Sequence, residues 1–449
     1  MTVLATAKHL RPDGFGQFGT LVNYTALVTV LIDLGFNTLY VREGARHPGE
    51  LGRYLSNLLS ARLLLAPLAL GVLALALIRP GLESLLIPGF VLMLLASYSG
   101  LLRGTFYAQQ KVTYEAISIV IESVVLLSLT LVGILGNRGV AWFLWSYAAS
   151  YAVACGFIAW VLISRRMVRI TWQFEFDLVR RFFWQGLPFA MTFLITTIYF
   201  KIDVPILQFF RSYTEVGWYT LAYKPFEALL FIPITMLNVI FPVLSIYHRE
   251  NQQRLKIGID RFYKALLLIG WPVSVGTFML APGLTRLLLP YPEAEPALAI
   301  LSVGIVAMFV NNAFIGALNS IDRQVAFTWA AAASMVVNVA LNLALIPRFG
   351  YLGSSVATVI TEFFLIAAGW YLTARYLHRV PLLGLSWKIL LSGAVMGVAL
   401  IPFRHSDGVS VGVAIVAGGV VYAVMTILLR IIRPEEIEMV RDAVGRRPR

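Results

Sequence analysis

The sequence contains little charge, almost no cysteine and few histidines. Charged residues make up 13% of its 449 residues, against about 25% in an ordinary soluble domain. The single cysteine, Cys155, excludes an intrachain disulfide framework. The sequence has no G-x-x-x-x-G-K-[ST], H-E-x-x-H or C-x-x-C motif. It therefore predicts a protein that is not an enzyme and that binds no cofactor and no metal.

Long apolar stretches fill most of the chain instead. Hydrophobic residues make up 59% of the sequence and the mean hydropathy is +0.79. A membrane-spanning helix needs roughly 20 mostly apolar residues. The predicted spans are residues 15–41, 53–78, 85–107, 112–135, 140–164, 182–210, 217–245, 261–280, 296–320, 325–346, 351–375, 385–401 and 411–432. Because they are continuously apolar rather than alternating, they predict an all-α polytopic membrane protein of about 13 transmembrane helices.

The net charge of +13 is distributed unevenly between the two sides of the predicted membrane. With alternating loops, 25 Lys and Arg residues fall on one side and 8 on the other. This asymmetry follows the positive-inside rule and indicates a cytoplasmic C-terminus and an outside N-terminus. It favours membrane insertion over a nucleic-acid partner.

Short motifs recur along the chain, which indicates an internal repeat. The matched segments are 16–18 with 217–219, 110–114 with 323–327, 136–139 with 350–353, and Gly156 with Gly369. Matched helices enter the membrane from the same side, so the repeats are parallel and predict a substrate path between two lobes. The predicted divisions are an N-lobe at 1–164, an inter-lobe loop at 165–181, a C-lobe at 182–380, two appended helices at 381–432 and a cytoplasmic basic tail at 433–449.

Several motifs resemble those of the polysaccharide flippases of the multidrug/oligosaccharidyl-lipid/polysaccharide transporter superfamily. They are residues 10–16 (LRPDGFG), 33–36 (DLGF), 42–43 (RE), 201–203 (KID), 215–219 (EVGWY), 242–245 (PVLS) and 347–358 (PRFGYLGSSVAT). The resemblance implies fourteen spans, in two six-helix lobes plus two further helices, and outward movement of polyprenyl-diphosphate-linked sugars. It also implies that the family's first helix is missing here, because only a nine-residue stub precedes the first motif.

Ionisable residues inside the spans are the candidate binding groups. A charge at the centre of a bilayer costs roughly 3 kcal/mol on insertion scales and usually faces the bundle interior. Cationic and amide groups there would suit a diphosphate, whose oxygens accept strong charge-assisted hydrogen bonds. The predicted substrate-binding residues are Arg42, Arg62, Lys201, Lys224, Glu227 and Asn238.

Each of these residues also has a structural interpretation. Lys201 and Lys224 have acidic neighbours, and Lys201–Glu227 and Asp203–Lys224 are possible neutralising pairs. Arg42 is equally suited to fixing topology or binding lipid headgroups. The sequence leaves these alternatives open.

Four carboxylates inside the spans are candidates for binding a coupling proton or sodium ion. They are Asp33, Glu122, Asp203 and Glu362. A lone membrane carboxylate can carry a proton, whereas Asp33 also suits an interhelical hydrogen bond. Five prolines, at 188, 205, 225, 233 and 242, permit kinks in the first two spans of the C-lobe.

These observations predict a flippase in the bacterial cytoplasmic (inner) membrane. Its substrate would be a polyprenyl-diphosphate glycan, carried by alternating access through a partly cationic cavity. Membrane lipids, a polysaccharide polymerase and glycosyltransferases are the expected partners. A cation-coupled drug antiporter of the same superfamily is the nearer alternative, and a membrane glycosyltransferase or polymerase is the more distant one.

Overall fold

The computed structural model describes residues 2–77, 82–169, 171–405 and 408–432, and these form helices joined by short connections. The predicted tail at 433–449 lies outside the described residues. The helices are α1 (Thr2–Asp33), α2 (Phe36–Arg46), α3 (Leu51–Ala76), α4 (Leu86–Ala108), α5 (Val112–Leu135), α6 (Val140–Ser164), α7 (Phe176–Lys201), α8 (Asp203–Phe210), α9 (Tyr213–Leu229), α10 (Phe231–Glu250), α11 (Gln252–Met279), α12 (Ala281–Leu288), α13 (Glu295–Ser320), α14 (Gln324–Tyr376), α15 (Leu382–Leu400) and α16 (Val409–Leu428).

Within the described residues, twelve helical segments are long and apolar enough to cross a membrane. The predicted all-α polytopic fold is confirmed. The expected count of 13 differs by one because α14 contains two predicted spans, joined through Gly350. Gly350 adopts a φ of 58° and a ψ of −138°, a backbone conformation that interrupts the helix and that glycine tolerates at little cost.

The first span begins and ends earlier than the sequence predicts. Helix α1 starts at Thr2, within the predicted stub, and has non-helical backbone angles at Arg11. It ends at Asp33, where Leu34 and Gly35 both take positive φ values of 45° and 74°. The predicted span 15–41 is therefore two helices, α1 and α2, separated by a two-residue break inside the apolar stretch.

Two prolines, Pro205 and Pro233, lie where one helix ends and the next begins, as the chemistry of proline predicts. Proline has no N–H, so the carbonyl four residues earlier loses its helical partner. Helix α7 ends four residues before Pro205, and α9 ends four residues before Pro233. The helices are thus interrupted at these two positions, although Ile202 and Leu230 keep helical backbone angles, whereas Pro188, Pro225 and Pro242 lie inside continuous helices.

The chain divides into two compact units. The first contains residues 1–220 and 342–350. Within it, α4 packs against α2 and α6, and α1 packs against α3, α4 and α7. Buried side chains of α2, α3, α4, α6 and α7 form an apolar core, among them Tyr40, Leu55, Phe106, Ile158 and Phe182.

The second unit contains residues 221–341 and 351–449. Its centre is α13, whose most apolar window is 78% buried, and α11 packs along it. Helices α15 and α16 pack against each other and against α11. Trp271 of α11 donates to the Leu390 carbonyl of α15 at 3.2 Å, and Tyr422 of α16 donates to the Leu268 carbonyl at 2.9 Å. The lobe boundaries drawn from the repeat stay a prediction.

Candidate functional site

A buried ion pair lies at the break between α1 and α2 in the first unit. Arg62 of α3 is fully buried, and its guanidinium donates to Asp33 Oδ1 at 2.5 Å and to Asn37 Oδ1 at 3.0 Å. The other terminal nitrogen donates to Ser97 Oγ at 2.9 Å and to the Ser97 carbonyl. The structure thus joins a predicted substrate-binding residue and a predicted coupling-ion residue in one network.

The broken helix explains why a carboxylate lies at this point. The N–H groups at the start of α2 have no helical partners, because the backbone at Leu34 and Gly35 leaves the helix. The Asp33 carboxylate lies beside the backbone of Gly35 and Asn37. Arg62 balances its charge, so the carboxylate at the break is paired inside an apolar core.

A second buried carboxylate lies at the break between α7 and α8. Asp203 is 3% exposed and accepts from Tyr219 Oη at 2.7 Å and from Asn342 Nδ2 at 3.0 Å. Lys201 is the last residue of α7 and is half-buried. Gln208, on the next turn, accepts from Tyr24 Oη at 3.0 Å.

The predicted binding residues of the second unit lie along one open face. Lys224 and Glu227 form an ion pair at 2.7 Å, with 33% and 27% of their side chains exposed. Asn238 is exposed, and so is Phe231 at 73%. We call Lys224, Glu227, Phe231 and Asn238 the open face of α9–α10. Lys224 thus pairs with Glu227, a pair that the sequence did not suggest.

Helix α10 is more exposed than α9, in which Val216, Tyr219 and Phe226 are buried. Only 11% of the most apolar window of residues 213–250 is buried, against 78% for α13. A charged pair that is neither buried in protein nor placed in lipid needs water, because hydrocarbon does not solvate charge. The partly exposed Lys224–Glu227 pair is therefore better suited to a hydrated surface than to a lipid-facing one.

Glu122 is not the lone carboxylate that the sequence suggests. Arg103 of α4 forms an ion pair with it, and the same guanidinium donates to Ser118 Oγ at 3.2 Å. Both side chains are mostly buried. Arg103 lies within the predicted span 85–107, and α4 brings it to the carboxylate.

Glu362 is 3% exposed in the second unit and hydrogen-bonds to a neighbouring helix. Asn311 of α13 donates through Nδ2 to Glu362 Oε2 at 2.7 Å and to the Glu362 carbonyl at 3.2 Å. This Asn311 contact was missed because the two residues are 51 positions apart and α13 reads as uniformly apolar.

Arg42 lies on the exposed side of α2, with 40% of its side chain accessible. Its Nε donates to Glu43 Oε1 at 3.1 Å, and its guanidinium lies 5.3 Å from the centre of the Phe189 ring. Glu43 also pairs with Arg46 at 3.3 Å. Two arginines therefore share one carboxylate, which leaves this end of α2 with a net positive charge.

Two segments matched by the internal repeat contact each other in the first unit. A Cβ placed on Gly16 of α1 would meet the carbonyl of Tyr213, and one on Gly217 of α9 would meet the carbonyl of Pro12. Tyr213 lies four residues before Gly217 on α9, and Pro12 lies four residues before Gly16 on α1. The contact is thus reciprocal, as expected for two helices related by a local two-fold axis, and it leaves no room for a side chain.

Comparisons with known proteins agree with this fold. Residues 1–248 match the family described as "Polysaccharide biosynthesis protein", and residues 165–412 match the family described as "Lipid II flippase MurJ". A structure titled "Lipid II flippase MurJ, inward closed conformation" superposes with a TM-score of 0.73 at 14% identity, covering 95% of this chain and 97% of that one. An inward-facing multidrug resistance MATE family transporter of the MOP superfamily gives 0.66 at 15% identity, covering 89% and 94%. At these identities the two structures show a shared fold.

Two curated relatives come from archaea. One is "Uncharacterized membrane protein MJ1068" of Methanocaldococcus jannaschii, 24% identical over 283 residues, covering 61% of this chain and 55% of that protein. The other is "Probable low-salt glycan biosynthesis flippase Agl15" of Haloferax volcanii, 24% identical over 246 residues, covering 52% and 51%. The chain spans about half the length of these relatives.

Proposed function

This chain belongs to the polysaccharide biosynthesis protein family, within the multidrug/oligosaccharidyl-lipid/polysaccharide transporter superfamily, and we propose that it is a lipid-linked oligosaccharide flippase. Its substrate is a polyprenyl-diphosphate-linked oligosaccharide, which it moves from the cytoplasmic to the outer leaflet of the cytoplasmic membrane by alternating access. The names of the flippase-like relatives support the class of substrate.

The observation that carries the proposal is the open face of α9–α10. It presents a partly exposed ammonium group and carboxylate on α9 and an exposed amide on α10. A glycan diphosphate crossing the membrane needs hydrogen-bond donors for its phosphates and polar groups for its sugars. The open face supplies both kinds of group on one surface.

The free-energy cost of replacing the carboxylate partner is lower for Lys224 than for Arg62, which makes Lys224 the better phosphate ligand. The Lys224–Glu227 pair is one-third exposed, and pairs of this kind contribute about 0–1 kcal/mol. A diphosphate can replace Glu227 at this low cost. Removing Asp33 from the fully buried Arg62 would instead leave a buried charge, at roughly 3–5 kcal/mol. We therefore assign Lys224 to binding and Arg62 to holding the α1–α2 break.

Arg42 is suited to the first contact with the substrate. It is exposed and lies in a cluster of two arginines and one glutamate, so it retains attraction for a diphosphate. The positive-inside rule places this end of α2 on the cytoplasmic side, where the lipid-linked glycan is made. Glycosyltransferase partners would act before this transport step, and a polysaccharide polymerase would act after it.

Coupling to a proton or sodium ion is assigned to buried carboxylates held by polar side chains. Asp203 is bound by Tyr219 and Asn342, and Glu362 by Asn311. Asp33 and Glu122 are each paired with an arginine, so a coupling cation would have to displace that arginine. Asp203 and Glu362 are the carboxylates that we propose for coupling.

The test is flipping of a fluorescent polyprenyl-diphosphate oligosaccharide in proteoliposomes. Lys224→Gln and Asn238→Ala should each lower the initial rate at low substrate concentration, because binding is weakened. Lys256→Gln removes the same charge from the cytoplasmic end of α11 and serves as the matched control. Equal rates for Lys224→Gln and Lys256→Gln would contradict the binding role of the open face. If the wild-type protein transports organic cations and leaves the lipid in place, the antiporter alternative is the correct one.

A further inference from the structure

A groove in the first unit lies apart from the residues assigned to transport. It has a volume of about 510 Å³ and is lined by Ser56, Leu59, Leu63, Tyr98, Thr171 and Trp172. Four of these residues belong to α3 and α4, and two to the segment that connects α6 with α7. We propose that this groove is a binding site for an anionic phospholipid, with one acyl chain in the groove and the phosphate beside Arg165, Arg166 and Arg169.

The connecting segment is fastened to α3 by several hydrogen bonds, so the groove has a defined wall. The N–H of Thr171 donates to Ser56 Oγ at 3.0 Å, and the N–H of Glu175 donates to Asn57 Oδ1 at 2.5 Å. Arg53 Nε donates to Glu175 Oε1 at 2.8 Å. This extended segment therefore lies along the start of a membrane helix in a fixed position.

The interior of the groove suits a hydrocarbon chain. The hydroxyl of Ser56 already accepts from Thr171, and Tyr98 Oη donates to the Leu59 carbonyl at 3.1 Å. The hydroxyl groups of Ser56 and Tyr98 are thus bound by the protein, and leucine and aromatic carbon make up much of the remaining lining. Nothing in this surface favours a sugar or a phosphate.

Aromatic residues around the groove indicate a position at the membrane interface. Trp172 is 78% exposed although one side of its ring lines the groove, and Phe174 and Phe176 are 46% and 67% exposed. Tryptophan and other amphipathic rings concentrate at the headgroup level of a bilayer. The groove therefore opens where lipid chains meet their headgroups.

The charge of the segment supplies the headgroup preference. Arg165, Arg166 and Arg169 are exposed, and in the part of the chain that the structure describes their guanidinium groups make no ion pair or hydrogen bond. The backbone of Arg169 lies against Gly52 of α3, close to the Thr171–Ser56 contact. The nearby acid Glu175 is held by Arg53. Basic pockets between membrane helices on the cytoplasmic side bind anionic headgroups.

The test uses the purified full chain, stripped of lipid in a zwitterionic detergent and titrated with phosphatidylglycerol under native mass spectrometry. Arg165→Gln/Arg169→Gln should weaken binding about thirtyfold, from about 1 kcal/mol per arginine near a lipid surface. Arg249→Gln/Arg254→Gln removes two exposed arginines of the same predicted side and should leave binding unchanged.

A second pair of variants tests the groove itself. Leu63→Trp fills it, whereas Leu64→Trp adds the same bulk at a neighbouring position that is 63% exposed and does not line it. Only Leu63→Trp should lower binding, and phosphatidylcholine with the same acyl chains should bind far less than phosphatidylglycerol. Equal binding by the paired variants, equal binding of the two lipids, or binding of a polyprenyl diphosphate alone would overturn the proposal.

Discussion

The buried Arg62–Asp33 pair should be the most sensitive electrostatic contact in the first unit. Arg62 is fully buried and pairs with Asp33 at 2.5 Å while also binding Asn37 and Ser97. Asp33→Asn or Arg62→Met would each leave one buried charge without its counterion. Each single variant should lower the free energy of unfolding by about 3–5 kcal/mol.

The double variant separates a charge effect from a simple loss of contacts. With both groups neutral, the remaining cost is the lost hydrogen bonds, about 1 kcal/mol each. Asp33→Asn/Arg62→Met should therefore be less destabilised than the sum of the single variants by at least about 2 kcal/mol. Lys224→Gln is the matched control, because its pair is one-third exposed and should contribute about 1 kcal/mol or less.

The assay is reversible unfolding in mixed micelles titrated with sodium dodecyl sulfate. Polar contacts between membrane helices average about 0.6 kcal/mol in double-mutant cycles. Single variants that each cost about this amount and add in the double variant would refute the reasoning. They would show that Arg62 and Asp33 behave as an ordinary interhelical hydrogen bond.

Three further predictions follow from other contacts. Gly217→Ala should cost about 1–3 kcal/mol of unfolding free energy because its Cβ meets the Pro12 carbonyl. The control is Gly71→Ala, at a helical position with open space around it, which should be neutral or stabilising. Equal effects of the two substitutions would contradict the close crossing of α1 and α9. Glu362→Gln keeps an acceptor for Asn311, so it should fold normally yet lose any proton or sodium dependence of transport; a preserved dependence would exclude Glu362. Arg53 lowers the pKa of Glu175 by hydrogen bonding, so this contact stabilises the fold at neutral pH and is lost as the pH falls through that lowered pKa. Glu175→Gln should therefore lower Tm at pH 7 by an amount that shrinks as the pH is lowered into the acid range. A difference that grows toward acid pH would contradict this sign.

The membrane architecture could be predicted from the sequence because it depends on local properties. Length and apolarity define the spans, and proline chemistry locates the breaks before Pro205 and Pro233. The break after Asp33 was missed, because the surrounding residues are apolar enough to continue a span. The residue that could have indicated this break is Gly35, because glycine tolerates a positive φ. Leu34 before it also adopts a positive φ.

The partners of the charged residues could not be predicted in the same way. Asp33 and Arg62 were both selected from the sequence, but for separate roles, and Glu122 was considered alone. Their partners come from other helices, and a helical pattern reports only which residues share a face. The pairs Asp33–Arg62 and Arg103–Glu122 depend on how helices pack, which span predictions do not contain.

The central claim concerns movement of a lipid-linked glycan across the bilayer. Its most direct test is the flipping rate of a fluorescent polyprenyl-diphosphate oligosaccharide in liposomes that contain the wild-type protein. The account predicts a rate well above that of protein-free liposomes, and no acceleration for the same glycan on a lipid that lacks the diphosphate. The account would be contradicted if the diphosphate lipid flipped no faster in liposomes that contain the folded, reconstituted protein than in protein-free liposomes.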